Sequence, residues 1–524
     1  MKSRKDFLTA KDFTIQRLIG FALLALLAGS GVGSAQTWKP APTFPGSGGA
    51  SQPILLTDGT VMVQEAGPGG GSNDTPNWYL LVPDSKGSYS NGQWFTMNPM
   101  QSNYAPHFYA SAVLTTGKVL IAGGEYNFGN DVELNFMEIF GPSGSSTFTP
   151  LPSGPGWSQI GDASSVVLPN GKLMLGNCCN NQQALLDPNK LTWTITGTGK
   201  LDNNSEEGWT LLPNGKVLTV DTQSLGADGN ASAELYDYRT PTTKNQWTQT
   251  GNVPAHIPLT YPCWGPPPLV PEVGPAVLRP DGTVFAIGAG GGTAIYHYQT
   301  GKWTAGKTIP PNSAGLGQDG SCDGPAAVMP NGRVLFMTSN INPSNTPPAD
   351  FYEFDGTNIN SVRPPPNGPN DVSFYGRFLV LPTGNILFTD GSQDVEIFEP
   401  GDTTFSASWQ PTITSFPSTV TPGQKFVIKG TKFTGLTQGA YYGDDAQSAT
   451  NYPLVRLTIN DGSFKGEVFY APTSNLPSGV ATPTSTKIEQ CTFLVPSILQ
   501  KNTTATLEVV ANGIPSKPVT ITIQ

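Results

Sequence analysis

Apolar residues along this chain come in short runs broken by turns, and one arrangement recurs seven times. An apolar run, a turn of the Pro-Asn-Gly type (Asn-Gly, Asp-Gly or Thr-Gly) and a second apolar run appear as ILLTDGTVMV, SAVLTTGKVLIAGG, SVVLPNGKLMLG, WTLLPNGKVLTV, AVLRPDGTVFAIG, AAVMPNGRVLFM and FLVLPTGNILFT. The turn glycines are Gly59, Gly117, Gly171, Gly215, Gly282, Gly332 and Gly384, a mean step of about 54 residues. Asn-Gly and Asp-Gly between β-rich runs are strong hairpin signals, because both turn residues tolerate positive φ. A third run follows most hairpins (ALLDP, AELYD, AIYHY, FYEFD, VEIFEP), and then a short fourth one. The fourth carries Trp94, Trp193, Trp247, Trp303 or Trp409, with Phe148 in the second copy.

Four strands per unit of this length predict the blades of a β-propeller, in which small twisted sheets stack around a ring. The segment TWKPAPTFP, with Trp38, reads as an outer strand lacking its first three and is placed to complete the seventh blade; Trp409 competes for that role. After Pro411 the pattern changes to strands such as YPLVRLTI, GEVFYA, CTFLVP, ATLEVVA and KPVTITI. Short strands spaced by turns over this stretch predict an immunoglobulin-like sandwich. The expected fold class is therefore all-β: a seven-bladed propeller over 36–411 and an Ig-like β-sandwich over 412–524.

Composition agrees. The 524 residues include 61 Gly and 49 Pro, and only 13% are charged, which excludes a coiled coil. The net charge of −10 argues against a nucleic-acid partner, since phosphate binding needs a basic face. Residues 1–35 combine a basic start (Lys2, Arg4, Lys5, Lys11, Arg17), an apolar run from Leu18 to Ala28 and the small-residue ending Gly33-Ser34-Ala35. That is the pattern of a secretory signal peptide cleaved near Ala35, with an uncleaved anchor as the alternative. The mature chain then carries no membrane span and is expected to be secreted, periplasmic or at the cell surface. Export permits disulfides. Cys263 and Cys322 fall in long loops and are the pair expected to bridge. Cys178 and Cys179 either bridge each other or remain separate thiols, and with five cysteines at least one thiol is left over or pairs outside the chain.

The seven copies resemble kelch repeats, with the double glycine Gly123-Gly124 in the second. The stretch YGDDAQSATNYPLVRLT, GVAT at 479–482 and VVANGIPSKPV at 509–519 resemble the C-terminal domain of glyoxal-oxidase-like proteins. With the signal peptide, the whole is similar to the secreted galactose oxidase and glyoxal oxidase architecture, and more closely to bacterial exported kelch-repeat proteins. The resemblance implies a copper ion held by two tyrosines and two histidines, one tyrosine being crosslinked to a cysteine. Nine residues before the first turn glycine, where the cysteine belongs, stands Ala50. Tyr109 matches the crosslinked tyrosine. SFYGRFL offers Phe374-Tyr375 in the direct register or Tyr375-Gly376 slipped by one, neither with the histidine, and no histidine follows His297. Four of the five groups are not found, so copper is not expected. His107, His256 and His297 show no metal-ligand spacing. The runs GPGGGS at 67–72 and GAGGG at 288–292 read as loops.

One polar set repeats in register. Asp162, Glu206 and Asp323 each precede their turn glycine by nine residues, and Glu207, Tyr109 and Tyr375 lie at that point or one residue on. Equivalent positions on different blades gather at the entrance of the innermost strands. Carboxylates there suit a hard cation such as calcium, or a hydroxylated ligand; they are also the groups of a glycoside hydrolase pair. No other cofactor is indicated. The expectation is a non-catalytic binding or scaffold protein for a carbohydrate or protein ligand of the cell envelope. The alternatives are a copper-radical oxidase acting on alcohols or aldehydes and a carbohydrate-active enzyme.

Overall fold

The computed structural model describes residues 36–68, 73–141, 147–152, 154, 156–225, 231–254, 257–263, 271–341, 345–445 and 447–524. The expected signal peptide, 1–35, and His256 lie outside them. The regular structure of the described chain is almost entirely strand; its helical segments are two 3-10 turns, Gly368–Asn370 and Ser373–Tyr375. Among the described residues no helix is long and apolar enough to cross a membrane.

Each repeated motif forms the first hairpin of an antiparallel sheet. All seven turn glycines adopt φ between +77° and +87°, the left-handed conformation that glycine reaches without penalty. In the first sheet the order is Gly49–Leu55, Val61–Ala66, Asp74–Val82, Gln93–Thr96. Its inner two strands are wholly buried and its outermost is mostly exposed. The next five motifs build sheets of the same four-strand order, and the sixth gains an extra strand, Ala440–Tyr441, from far along the chain.

The seventh sheet takes its outer strand from the other end of the described chain. Thr37–Pro40 pairs antiparallel with Glu396–Glu399, so Trp38 supplies the fourth strand. The Trp38 ring centroid lies 5.5 Å from that of Phe351, 5.7 Å from Phe388 and 5.0 Å from Phe398, and its Nε1 donates to the Arg363 carbonyl. Trp409, the competing candidate, lies in a turn and packs over Gly332. Thr389 of the seventh sheet donates its hydroxyl to the Ser51 carbonyl of the first, joining the two ends of the series.

The C-terminal residues form two sheets in a sandwich. One holds Thr412–Ser415, Lys425–Thr431, Glu489–Leu494 and Thr473–Ser474; the other is built on Thr503–Ala511, Leu454–Ile459 and Val519–Ile523. Their core is continuous with the propeller: Ile428, Leu457, Phe493 and Leu507 share one buried cluster with Leu55, Leu81, Leu379 and Leu387.

From the sandwich a finger, residues 436–445 and 447–448, reaches across the sheets and is tied to or beside every one of them. Gln52 donates to Ser448 Oγ, Ser111 Oγ to the Gln447 carbonyl, and Ser164 Oγ to the Asp444 carbonyl. Leu211 N donates to Gln438 Oε1, the Leu278 backbone meets the Tyr441 hydroxyl, and Val328 N donates to the Gly439 carbonyl. Tyr442 donates its hydroxyl to the Phe374 carbonyl beside the seventh sheet. A segment bonded to or beside all seven sheets occupies their common axis.

Candidate functional site

Three carboxylates chosen by their shared offset meet at that axis. Asp162, Glu206 and the finger's Asp444 each bring an oxygen within 4.8 Å of the others, and Glu206, Glu272 and Asp323 form a second such group. Asp445 stands beside Asp444, and Glu125 adds its field to several members. The backbone is bent to deliver them. Glu206 and Asp323 adopt φ of +57° and +48°, as does Phe108 (+48°) at the same offset in the second sheet. Left-handed non-glycine residues cost about 1–3 kcal/mol each and concentrate at functional sites.

The finger fits because of Gly443. A Cβ there would lie 2.4 Å from Asp323 Oδ1 and 2.8 Å from Asp323 Cα, distances that only glycine avoids.

The group is heavily desolvated. Asp444 is 3% exposed and Asp162 8%. Burial, reinforced by neighbouring carboxylates, holds Asp162, Glu206, Asp323 and Asp444 well above the usual carboxylate range. Two like charges 4 Å apart repel by about 4 kcal/mol at an effective dielectric near 20. Asp444 Oδ2 and Asp323 Oδ1 are shut off from solvent and meet no hydrogen-bond donor. Among the described residues, no Lys, Arg or His nitrogen forms an ion pair with Asp162, Glu206, Asp323 or Asp444. Arg377 adds a positive field at Asp323. It lies 3.8 Å from the Tyr442 ring and 5.5 Å from that of Phe108, and gives its Nη1 protons to the Phe374 and Gly376 carbonyls.

The remaining expected residues go elsewhere. Glu207 does not join the axis: successive residues turn to opposite sides, and its carboxylate enters the interior of the fourth sheet, where Lys200 Nζ binds it at 3.0 Å. Lys200 also reaches Asp221 at 3.2 Å and Glu234 at 2.8 Å. Tyr109 does not offer its hydroxyl to the axis, because it donates to Gln64 Oε1 at 2.6 Å. Tyr375 is carried by the 3-10 turn into a rim groove of about 490 Å³, lined by Asn367, Asn370, Asp371, Asp390 and Ser392. Three axial members were absent from the sequence expectation. Glu272 falls one residue before the shared offset, and Asp444 and Asp445 lie in the YGDD of the finger, outside the repeat.

The copper set implied by the family resemblance does not fit these residues. His107 spends Nδ1 on Asp74 at 3.0 Å, and His297 sits on the third strand of the fifth sheet beside Thr304. The axial donors are carboxylate oxygens, which suit hard cations rather than copper.

The cysteines frame the site. Cys263 and Cys322 are disulfide-bonded, with Cα atoms 6.2 Å apart, and fix the residue next to Asp323. Cys178 and Cys179 bridge each other, and Cys178 Sγ lies 3.2 Å from Glu133 Oε2.

No protein-family model matches the chain, and no curated protein matches it in sequence. Solved structures do resemble it. A fungal alcohol oxidase of the AA5 family, in complex with copper, aligns over 94% of this chain and 100% of its own at 14% identity, with a TM-score of 0.51. A streptogramin B lyase aligns over 70% of this chain and 97% of its own at 10% identity (TM-score 0.45). The extracellular domain of a hybrid two-component system from B. thetaiotaomicron aligns over 94% of this chain and 59% of its own at 12% identity (TM-score 0.46). At such identities the likeness shows the fold alone: an all-β chain of the propeller and β-sandwich kind.

Proposed function

We propose that this chain is an exported, seven-bladed kelch-type propeller with an Ig-like C-terminal domain, and that it acts as a binding protein. Its axial carboxylates take a divalent hard cation, calcium by size and donor type. The observation that carries the reading is a contrast within the molecule. The buried carboxylates Glu207, Asp221 and Glu234 are neutralised by Lys200. Among the described residues, Asp162, Glu206, Asp323 and Asp444 have no such ion-pair partner. Calcium–oxygen bonds are about 2.3–2.6 Å long, so two oxygens on one ion are at most about 5 Å apart. Oxygens within 4.8 Å of one another fit inside that sphere.

A cell-envelope carbohydrate is the proposed partner. The rim groove supports it, with amides and carboxylates to meet hydroxyl groups and Tyr375 to supply an apolar face. Two disulfides support an oxidising compartment.

The test is thermal unfolding of the mature, chelator-stripped protein with calcium added. Binding to the folded state alone stabilises by about 2.7 kcal/mol at a hundredfold excess over Kd, so the midpoint should rise by several degrees. Asp162→Asn combined with Asp323→Asn should abolish the rise. A wild-type midpoint that calcium leaves in place overturns the reading.

A further inference from the structure

The geometry points to two cations at the axis, bridged by Glu206. This rests on the cation-binding reading above and goes beyond it in number and arrangement.

Five residues supply the donors, but they do not make one group of five. They make two groups of three, Asp162/Glu206/Asp444 and Glu206/Glu272/Asp323, with all oxygens of a group within 4.8 Å of one another and Glu206 common to both. Each group matches the coordination sphere of one hard ion. The five together do not meet that limit, so a single ion would leave some of them out. Each group also holds one oxygen that is buried without a donor: Asp444 Oδ2 in the first and Asp323 Oδ1 in the second. Asp444 is 3% exposed, so water does not meet that need from bulk solvent.

Glu206 is common to both groups, and a carboxylate, with two oxygens, can serve two ions; metals paired in this way lie about 3.5–4 Å apart. The left-handed backbone of Glu206, φ +57°, sets it where both groups reach it. Glu272 reaches the second group from a short strand, Glu272–Val273, pairing with Thr260–Tyr261.

Manganese tests this, because it is a hard divalent ion with a spin signature. The full mature protein is stripped with chelator and titrated with manganese, and bound metal is counted against protein while electron paramagnetic resonance is recorded. The expected result is two manganese per chain with an exchange-coupled spectrum. Asp162→Asn should leave one ion with an uncoupled six-line signal, and Glu206→Gln should weaken both steps at least tenfold. One ion per chain in the wild type, uncoupled at saturation, overturns the paired arrangement while the cation-binding reading stands. No bound manganese and no bound calcium overturns both. The wild-type count decides the matter alone, so a variant that fails to fold does not rescue the proposal.

Discussion

Lys200 Nζ lies 3.0 Å from Glu207 Oε1 with both side chains wholly buried, while Glu206, one residue earlier, sends its carboxylate to the axis. One peptide unit thus divides two acidic environments. Burial opposes the Lys200 charge, but Glu207, Asp221 and Glu234 outweigh it and raise its pKa. Replacing Lys200 by Met leaves three buried carboxylates uncompensated. Removing one partner of a buried ion pair costs about 3–5 kcal/mol. The midpoint of chemical unfolding should fall accordingly, and Lys200→Arg should recover part of the loss. An unchanged midpoint in Lys200→Met would mean that the network is already relaxed by water.

Gly443 makes a sharper demand on the axis itself. Gly443→Ala drives a methyl group against Asp323 Oδ1, Asp323 Cα and the Val273 carbonyl, the last at 3.1 Å. Two of these are backbone atoms, which have little room to yield. The finger must shift, carrying Asp444 with it. Cation affinity should drop at least tenfold, and stability by about 1–3 kcal/mol, the usual cost of overpacking. Gly141→Ala is the control, since a Cβ there meets nothing within 4 Å. Equal calcium responses in the two variants would count against the finger as part of the site.

How much of this was legible in sequence follows from what the turns require. A glycine closing each Asn-Gly, Asp-Gly or Thr-Gly turn marks backbone that must reach positive φ, so the hairpins could be located one by one. Counting from their glycines put Asp162, Glu206 and Asp323 at equivalent points, and the structure brings them together. The same count failed where local geometry overrode it. Glu207 is turned away by alternation, and Tyr375 is diverted by a 3-10 turn. Asp444 and Asp445 were hidden for a different reason. They belong to no repeat, and only the docking of the sandwich against the sheets brings its finger to the axis. Two adjacent aspartates after a Tyr-Tyr-Gly, in a chain with few charges, were the one signal available.

The disulfide between Cys263 and Cys322 closes a loop with a sequence separation of 59. Loop-closure entropy for that length corresponds to about 4 kcal/mol. Cys263→Ser combined with Cys322→Ser should lose stability of that order and also loosen Asp323, so calcium should stabilise the double variant less. Cys491 is the remaining thiol, 1% exposed, with burial pushing its pKa up to about 12. A thiol reagent should therefore find no reactive group in the folded protein and one per chain after unfolding without reductant. Three or five thiols on unfolding would show that a bridge is missing.

The rim groove gives a pH dependence with a definite sign. Burial first, and then the neighbouring Asp390, pushes Asp371 up to about 9. An unfolded aspartate titrates near 3.9. Below about pH 4 both states hold the proton, and the site exacts no penalty. Between about pH 4 and 9 the unfolded chain has released the proton while the folded chain keeps it, so stability falls as pH rises, by about 1.4 kcal/mol per unit from this group. Above about pH 9 the slope ends. Asp390 keeps its own donors, Asn367 Nδ2 at 2.9 Å and Ser392 N at 2.9 Å, and an amide at 371 can donate to it as the protonated acid does. Asp371→Asn should therefore match the wild type near pH 4 and exceed it in stability at pH 8. The parallel contribution of Glu396, raised to about 8 by burial and by Asp390 and Asp394, should remain in the variant as a residual slope. Unfolding midpoints measured in steps across pH 4–9 check this. A wild type and variant that stay parallel over that range would show that Asp371 is ionised in the folded protein.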